Sequence, residues 1–174
     1  VELFEKSSNY HYEGNTLQAG QFVVDVTKKQ TTELDIRAVG SEHPEWQAID
    51  ATLAQVLVHV VGLYEMDYPG ISFLPNPLWD EGFRVKRYEG YDPQVERNGE
   101  QEYGKVEREG GFHHWHIDSG GRSCRELAVL FFLADVPSGG ETVFLTPRHR
   151  VISPRRGAVL VFPASHTHLH AGAP

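Results

Sequence analysis

Residues 112–119 read Phe-His-His-Trp-His-Ile-Asp-Ser, and residues 165–174 read Ser-His-Thr-His-Leu-His-Ala-Gly-Ala-Pro. In the first string His116 and Asp118 are two positions apart, so on an extended strand their side chains lie on one face and can grip the same ion. A third ligand, His170, then has to arrive on a strand folded back alongside. Two histidines and one carboxylate in this arrangement form the facial triad that leaves positions on a non-haem Fe(II) open. The pattern therefore predicts both a metal site and a β fold to build it.

Working outward, the sequence between the two strings is punctuated as strands. Leu127 to Ala134 is a continuous apolar run of eight, bounded by Gly120-Gly121 and by Pro137-Ser138-Gly139-Gly140. Its length, phenylalanines and glycine borders favour a buried strand over a helix. Ala158 to Phe162 repeats the pattern after the turn Pro154-Arg155-Arg156-Gly157. Several short strands with turn signals between them predict a sandwich or jelly roll, mainly β with supporting helices (α+β).

Toward the N-terminus the pattern changes. The first forty residues are polar, with strand candidates at Phe22 to Val26 and around Leu34 to Val39. From Pro44, residues Trp46, Ile49, Leu53, Val56, Val60 and Tyr64 recur every three to four positions, one face of an amphipathic helix that Pro69-Gly70 stops. Such a helix is expected to back a sheet. Phe83 to Tyr88 reads as a strand, and Glu89 to Gly111 as a charged, glycine-containing excursion. No repeat or linker divides the chain, so residues 1–174 are expected to form a single domain. Residues 1 to about 82 would be N-terminal support and about 83–174 the core.

Composition bounds the function. Sixteen Lys and Arg against twenty-four Asp and Glu leave a net charge of −8, which disfavours nucleic acid and anionic lipid as partners. The single cysteine, Cys124, cannot form an intrachain disulfide, and the Leu127–Ala134 run is far too short to cross a bilayer. A soluble domain in a reducing, cytoplasmic setting is the default expectation. Localisation stays open, because the sequence begins at Val1 and a targeting segment upstream could have been removed.

Four segments, in order, resemble the Fe(II)- and 2-oxoglutarate-dependent dioxygenases, in particular the prolyl 4-hydroxylase-like branch. They are Arg-Tyr-Glu-Gly at 87–90, His-Ile-Asp at 116–118, the stretch 125–144 containing Gly-Gly-Glu-Thr, and Pro-Arg-Arg-Gly-Ala-Val-Leu-Val-Phe at 154–162 followed by His-Ala-Gly at 170–172. The resemblance implies a double-stranded β-helix, or jelly roll, with Fe(II) held by His116, Asp118 and His170. It further implies 2-oxoglutarate as cosubstrate, O2 as co-reactant and ascorbate as reductant. Decarboxylation of 2-oxoglutarate would be coupled to hydroxylation of a substrate C–H bond. The metal and cosubstrate carry that chemistry, while the protein positions the substrate carbon. By the same resemblance Tyr88 and Thr142 would be hydroxyl partners of 2-oxoglutarate, whose far carboxylate needs a cation. The family places that cation on a strand beyond the distal histidine, so a further C-terminal strand is expected after Pro174. Arg125 is an internal alternative.

Each residue also has a plainer reading. His114 shares a face with His116 and His168 with His170, so either could be a ligand in another register or a group that orients one. His113 and His166 neighbour the two strings, while His11, His43, His59 and His149 lack metal-like spacing. Gly139-Gly140-Glu141-Thr142 could be only a turn entering a strand. Arg125 could be a salt-bridged strand-end residue, Cys124 a small packed residue, and Trp115 a packing residue on the face away from the ligands. The functional expectation is hydroxylation of a peptidyl proline in a peptide or protein substrate. The alternatives are hydroxylation of a free amino acid or small metabolite, and a non-catalytic metal-containing jelly-roll binding module. A zinc hydrolase is disfavoured, since no His-Glu-x-x-His helix is present.

Overall fold

The computed structural model describes residues 1–18, 21–25, 29–88, 114–120, 124–145 and 150–173. The excursion 91–111, His113 and His149 lie outside these residues. In chain order the elements are α1 (Glu2–Lys6), β1 (Tyr12–Glu13), β2 (Thr16–Gln18), β3 (Gln21–Val23), β4 (Thr31–Asp35), α2 (Ile36–Gly40), α3 (Pro44–Asp67), β5 (Arg84–Tyr88), β6 (Leu127–Phe131), β7 (Thr142–Phe144), β8 (Arg150–Ile152), β9 (Val159–Pro163) and β10 (His170–Gly172). Short 3-10 turns occupy Ser8–Tyr10, Pro69–Phe73 and His166–His168.

The periodic segment from Pro44 is the long helix α3, with proline in its first turn. Its Trp46 is buried with Phe4, Leu34, Ile36 and Val39, and Ile49, Leu53, Phe83 and Val85 pack against that cluster. Burying side chains of this size contributes about 1.5–3 kcal/mol each before the entropy of ordering them. Leu34 of β4 and Val85 of β5 are directly paired, so α3 covers one face of the antiparallel sheet β1-β4-β5. By length and composition α3 is also the one helix among the described residues apolar enough to cross a membrane, with a mean hydropathy of 1.2.

The strand expected over Leu34 to Val39 is corrected. β4 ends at Asp35, whose carboxylate accepts the Ala38 amide at 3.1 Å and caps the short helix α2. Aspartate at an N-cap satisfies an amide that no helical carbonyl reaches, and this overrides the strand propensity of Ile36 and Val39. The strands expected over 83–88, 127–134 and 158–162 form as Arg84–Tyr88, Leu127–Phe131 and Val159–Pro163.

In the C-terminal half, β6 pairs with β9, while a second antiparallel sheet runs β10-β7-β8. The two face each other through Phe162 of β9 and Phe144 of β7, whose rings meet edge to face at 5.0 Å. Gly139 and Gly140 adopt φ of 80° and 71° just ahead of β7, a left-handed pair that a β-branched residue would resist. Phe83 and Phe131 pack edge to face at 6.0 Å, joining the start of β5 to the end of β6.

Candidate metal centre

His116 and His170 form an antiparallel bridge, in which each backbone amide donates to the other's carbonyl at 2.9 and 3.0 Å. Residues directly opposite across such a bridge project to the same side, and the two imidazole centroids lie 4.2 Å apart. Asp118 is brought in because the following residue is also anchored: the Ser119 amide donates to the Ala164 carbonyl, just beyond β9, at 2.9 Å. One ring nitrogen from each histidine and one Asp118 oxygen converge, with ligand atoms all within 4.8 Å of one another. The Asp118 Oδ2 lies 3.5 Å from the His170 Nε2. Among the described residues this is the one cluster of His, Cys, Asp and Glu able to hold a metal ion.

The ring orientations are fixed from behind. Nδ1 of His116 faces the His114 carbonyl at 2.9 Å, and Nδ1 of His170 faces the His168 carbonyl at 3.0 Å. A carbonyl oxygen only accepts, so each Nδ1 donates to the main chain and each Nε2 is left as the ring nitrogen that can meet a cation. His114 and His168 thus orient the pair through their main chain. Burial first, and the adjacent His170 second, hold the His116 imidazole down to about 4. The ring is therefore neutral at physiological pH, the form that binds metal.

Behind His170 lies an aromatic wall. The Phe162 ring is 4.8 Å away edge-on and the Phe144 ring is 5.7 Å away. His168 packs against the same two phenylalanines, and burial followed by His170 lowers its pKa. Thr142 is two residues from Phe144 on β7, and Phe144 is paired directly with His170. Its buried side chain therefore lies on the His170 face of the sheet. Trp115 is half-buried, and Cys124 is exposed.

Tyr88 sits at the end of β5 opposite Thr31. Its hydroxyl pKa is raised, first by burial and then by the charges of Glu33 and Asp118. Arg125 is turned elsewhere. Glu81 holds its guanidinium at 2.7 and 2.8 Å, and it reaches only the main-chain oxygen of Asp118, at 3.3 Å. That geometry favours the salt-bridged reading of Arg125 over a cosubstrate cation.

One group on this side escapes a sequence-only reading. Lys86 shares the Tyr88 face of β5, directly across from the buried Glu33. The available signal was the two-residue spacing to Tyr88 in Arg-Val-Lys-Arg-Tyr.

The donor set, two imidazoles and one carboxylate, suits a borderline divalent ion. Residues 101–174 match the family model of the 2OG-Fe(II) oxygenase superfamily. The matched span covers less than half of the chain and contains all three converging side chains. It supports an oxygenase assignment, and that family implies Fe(II), 2-oxoglutarate and O2. No curated protein and no solved structure matches the chain.

Proposed function

We propose that this chain is an Fe(II)- and 2-oxoglutarate-dependent dioxygenase of the prolyl 4-hydroxylase-like branch, acting on a peptidyl proline, with its C-terminal strands forming a jelly roll. The observation that carries the reading is the convergence of His116, Asp118 and His170 with both Nδ1 atoms already engaged by carbonyls. These three would hold Fe(II), which together with 2-oxoglutarate supplies the O2 activation needed to hydroxylate a C–H bond.

The chain's own contribution is positional. The His114 and His168 carbonyls keep the imidazoles in the ligating tautomer, and the Phe144 and Phe162 rings exclude water from behind His170. The Thr142 hydroxyl, on the His170 face, and the Tyr88 hydroxyl would donate to 2-oxoglutarate. Arg125 would steady the main chain at Asp118.

The test is succinate release from 2-oxoglutarate that needs Fe(II) and O2 and is aided by ascorbate, followed by mass spectrometry of proline-containing peptides for a gain of one oxygen. Hydroxyproline in a peptide establishes the substrate class. Product from a free amino acid or small metabolite, with every peptide unmodified, replaces that class and leaves the oxygenase reading intact.

A further inference from the structure

The C-terminal end of α3 runs against the usual placement of charge. Carbonyls at a helix C-terminus present partial negative charge and are normally met by Lys, Arg or His in the last turn. Here that turn holds Glu65 and Asp67 and no basic residue. A groove of about 440 Å³ opens beside it, between Tyr64, Asp67 and Tyr68 on one wall and Glu126, Leu127 and Pro163 on the other. Among the described residues no Lys, Arg or His lines it. The Ser72 hydroxyl donates to Glu65, whereas Asp67 and Glu126 carry no ion pair among the described residues.

Each wall adds a feature. The Tyr64 and Tyr68 rings stack at 4.6 Å, and Tyr68 is 60 % exposed, so the pair presents an open aromatic surface there. Such a ring attracts an ammonium or guanidinium, and Leu127 and Pro163 suit the methylene stem that carries one. Leu127 and Pro163 are register partners of β6 and β9, and Phe162, next to Pro163, turns the other way onto His170. The groove therefore lies on the face of this strand pair opposite the metal cluster, at the strand ends nearest to it. Ala164 marks that end. Its amide donates to the Glu126 carbonyl and its carbonyl accepts the Ser119 amide, both at 2.9 Å, one residue from Asp118.

We propose that this groove is a docking subsite for an arginine or lysine side chain, and that the peptide substrate carries such a residue a few positions from the one that reacts. The inference rests on the peptidyl reading above. Charge decides the occupant: two carboxylates and a helix C-terminus face one groove, and a net charge of −8 draws basic segments toward the whole molecule. Two carboxylates are fewer than the oxygen ligands a bare Ca(II) or Mg(II) takes, so a cation on an apolar stem fits the lining better. Two strand spacings of about 4.8 Å lead from Ser119 through Ala164 to Glu126, which an extended peptide covers in about three residues.

The experiment measures binding by fluorescence anisotropy, with mass spectrometry of the same peptides for hydroxylation. Labelled peptides carry one proline in an alanine and glycine background, with a single arginine moved through the other positions. Each is paired with a peptide holding norleucine there, which keeps the aliphatic stem and loses the charge. At one or two positions arginine should bind about threefold to thirtyfold more tightly than norleucine, the combined range of exposed ion pairs and a cation–π contact. Lysine should keep part of that preference. Asp67→Asn with Glu126→Gln should remove it and leave the norleucine peptide's Kd in place. No position favouring arginine in wild type, or a preference that survives in the double variant, overturns the proposal. Should the double variant fail to fold, Tyr68→Leu takes its place: it removes the exposed ring and should cut the arginine preference, and an undiminished preference overturns the subsite. Peptides hydroxylated with no charge preference remove the groove assignment alone. Hydroxylation of a small metabolite with no peptide bound removes the peptidyl reading, and this inference with it.

Discussion

His116 and His170, fifty-four positions apart in the chain, hydrogen-bond to each other through their main chains in both directions, at 2.9 and 3.0 Å. The bridge makes the spacing of two ligands a property of the sheet backbone rather than of flexible side chains. Asp118 follows two positions on, in a bend held by the Ser119 amide on the Ala164 carbonyl.

Removing a ligand should therefore empty the site without unfolding it. His116→Ala or Asp118→Ala should weaken Co(II) or Fe(II) binding by more than about 100-fold, beyond what loss of an outer hydrogen-bond partner produces. Succinate formation should be abolished and the apo-protein's melting curve left nearly in place. Metal titration beside thermal unfolding measures both, and wild-type affinity in either variant rejects the triad.

The depressed His116 pKa gives a signed pH dependence for metal-free protein. An unfolded imidazole titrates near 6.5, whereas burial and His170 hold the folded one to about 4. Between these values the unfolded chain binds the extra proton. The contribution of His116 is thus fully present above pH 6.5 and is lost as pH falls toward 4, on the order of 2 kcal/mol for a partly buried ring. Urea unfolding of wild type should lose that much more stability than His116→Gln over the interval. Parallel losses in the two proteins would remove the assignment.

Thr142 separates a ligand contact from a turn. If its hydroxyl donates to 2-oxoglutarate, Thr142→Val should raise the apparent KM for that cosubstrate by about tenfold to a hundredfold, equivalent to about 1.5–3 kcal/mol. An unchanged KM would leave Gly139–Thr142 with only its structural role of entering β7.

Gly14 tests the polar network under Lys86. A Cβ there would stand 2.0 Å from Thr31 Oγ1, 2.6 Å from Glu33 Oε1 and 2.8 Å from Lys29 Cε. Gly14→Ala should destabilise the fold by about 1–3 kcal/mol through overpacking. Its effect on metal affinity should be small, because the clash lies on β4 rather than on the His116 bridge. A melting temperature equal to wild type would show that the network yields freely.

Local sequence determined the elements whose signals are local. The three-to-four residue recurrence from Trp46 fixed α3, and glycine- and proline-bounded apolar runs fixed β6 and β9, because periodicity and turn chemistry act within a few residues. The offset between His116 and Asp118, and the order of segments up to His170, made the candidate ligands legible for the same reason. The helix at Ile36–Gly40 was hidden, since an aspartate closing one strand and capping the next helix looks like part of an apolar-rich strand until its carboxylate meets the Ala38 amide. Only tertiary structure decided the pairing of His116 with His170, the two carbonyls behind their rings, the turning of Arg125 to Glu81, and the placing of Lys86 across from Glu33. Those are set by register between strands far apart in sequence, where a shift of one residue would send every side chain to the other face.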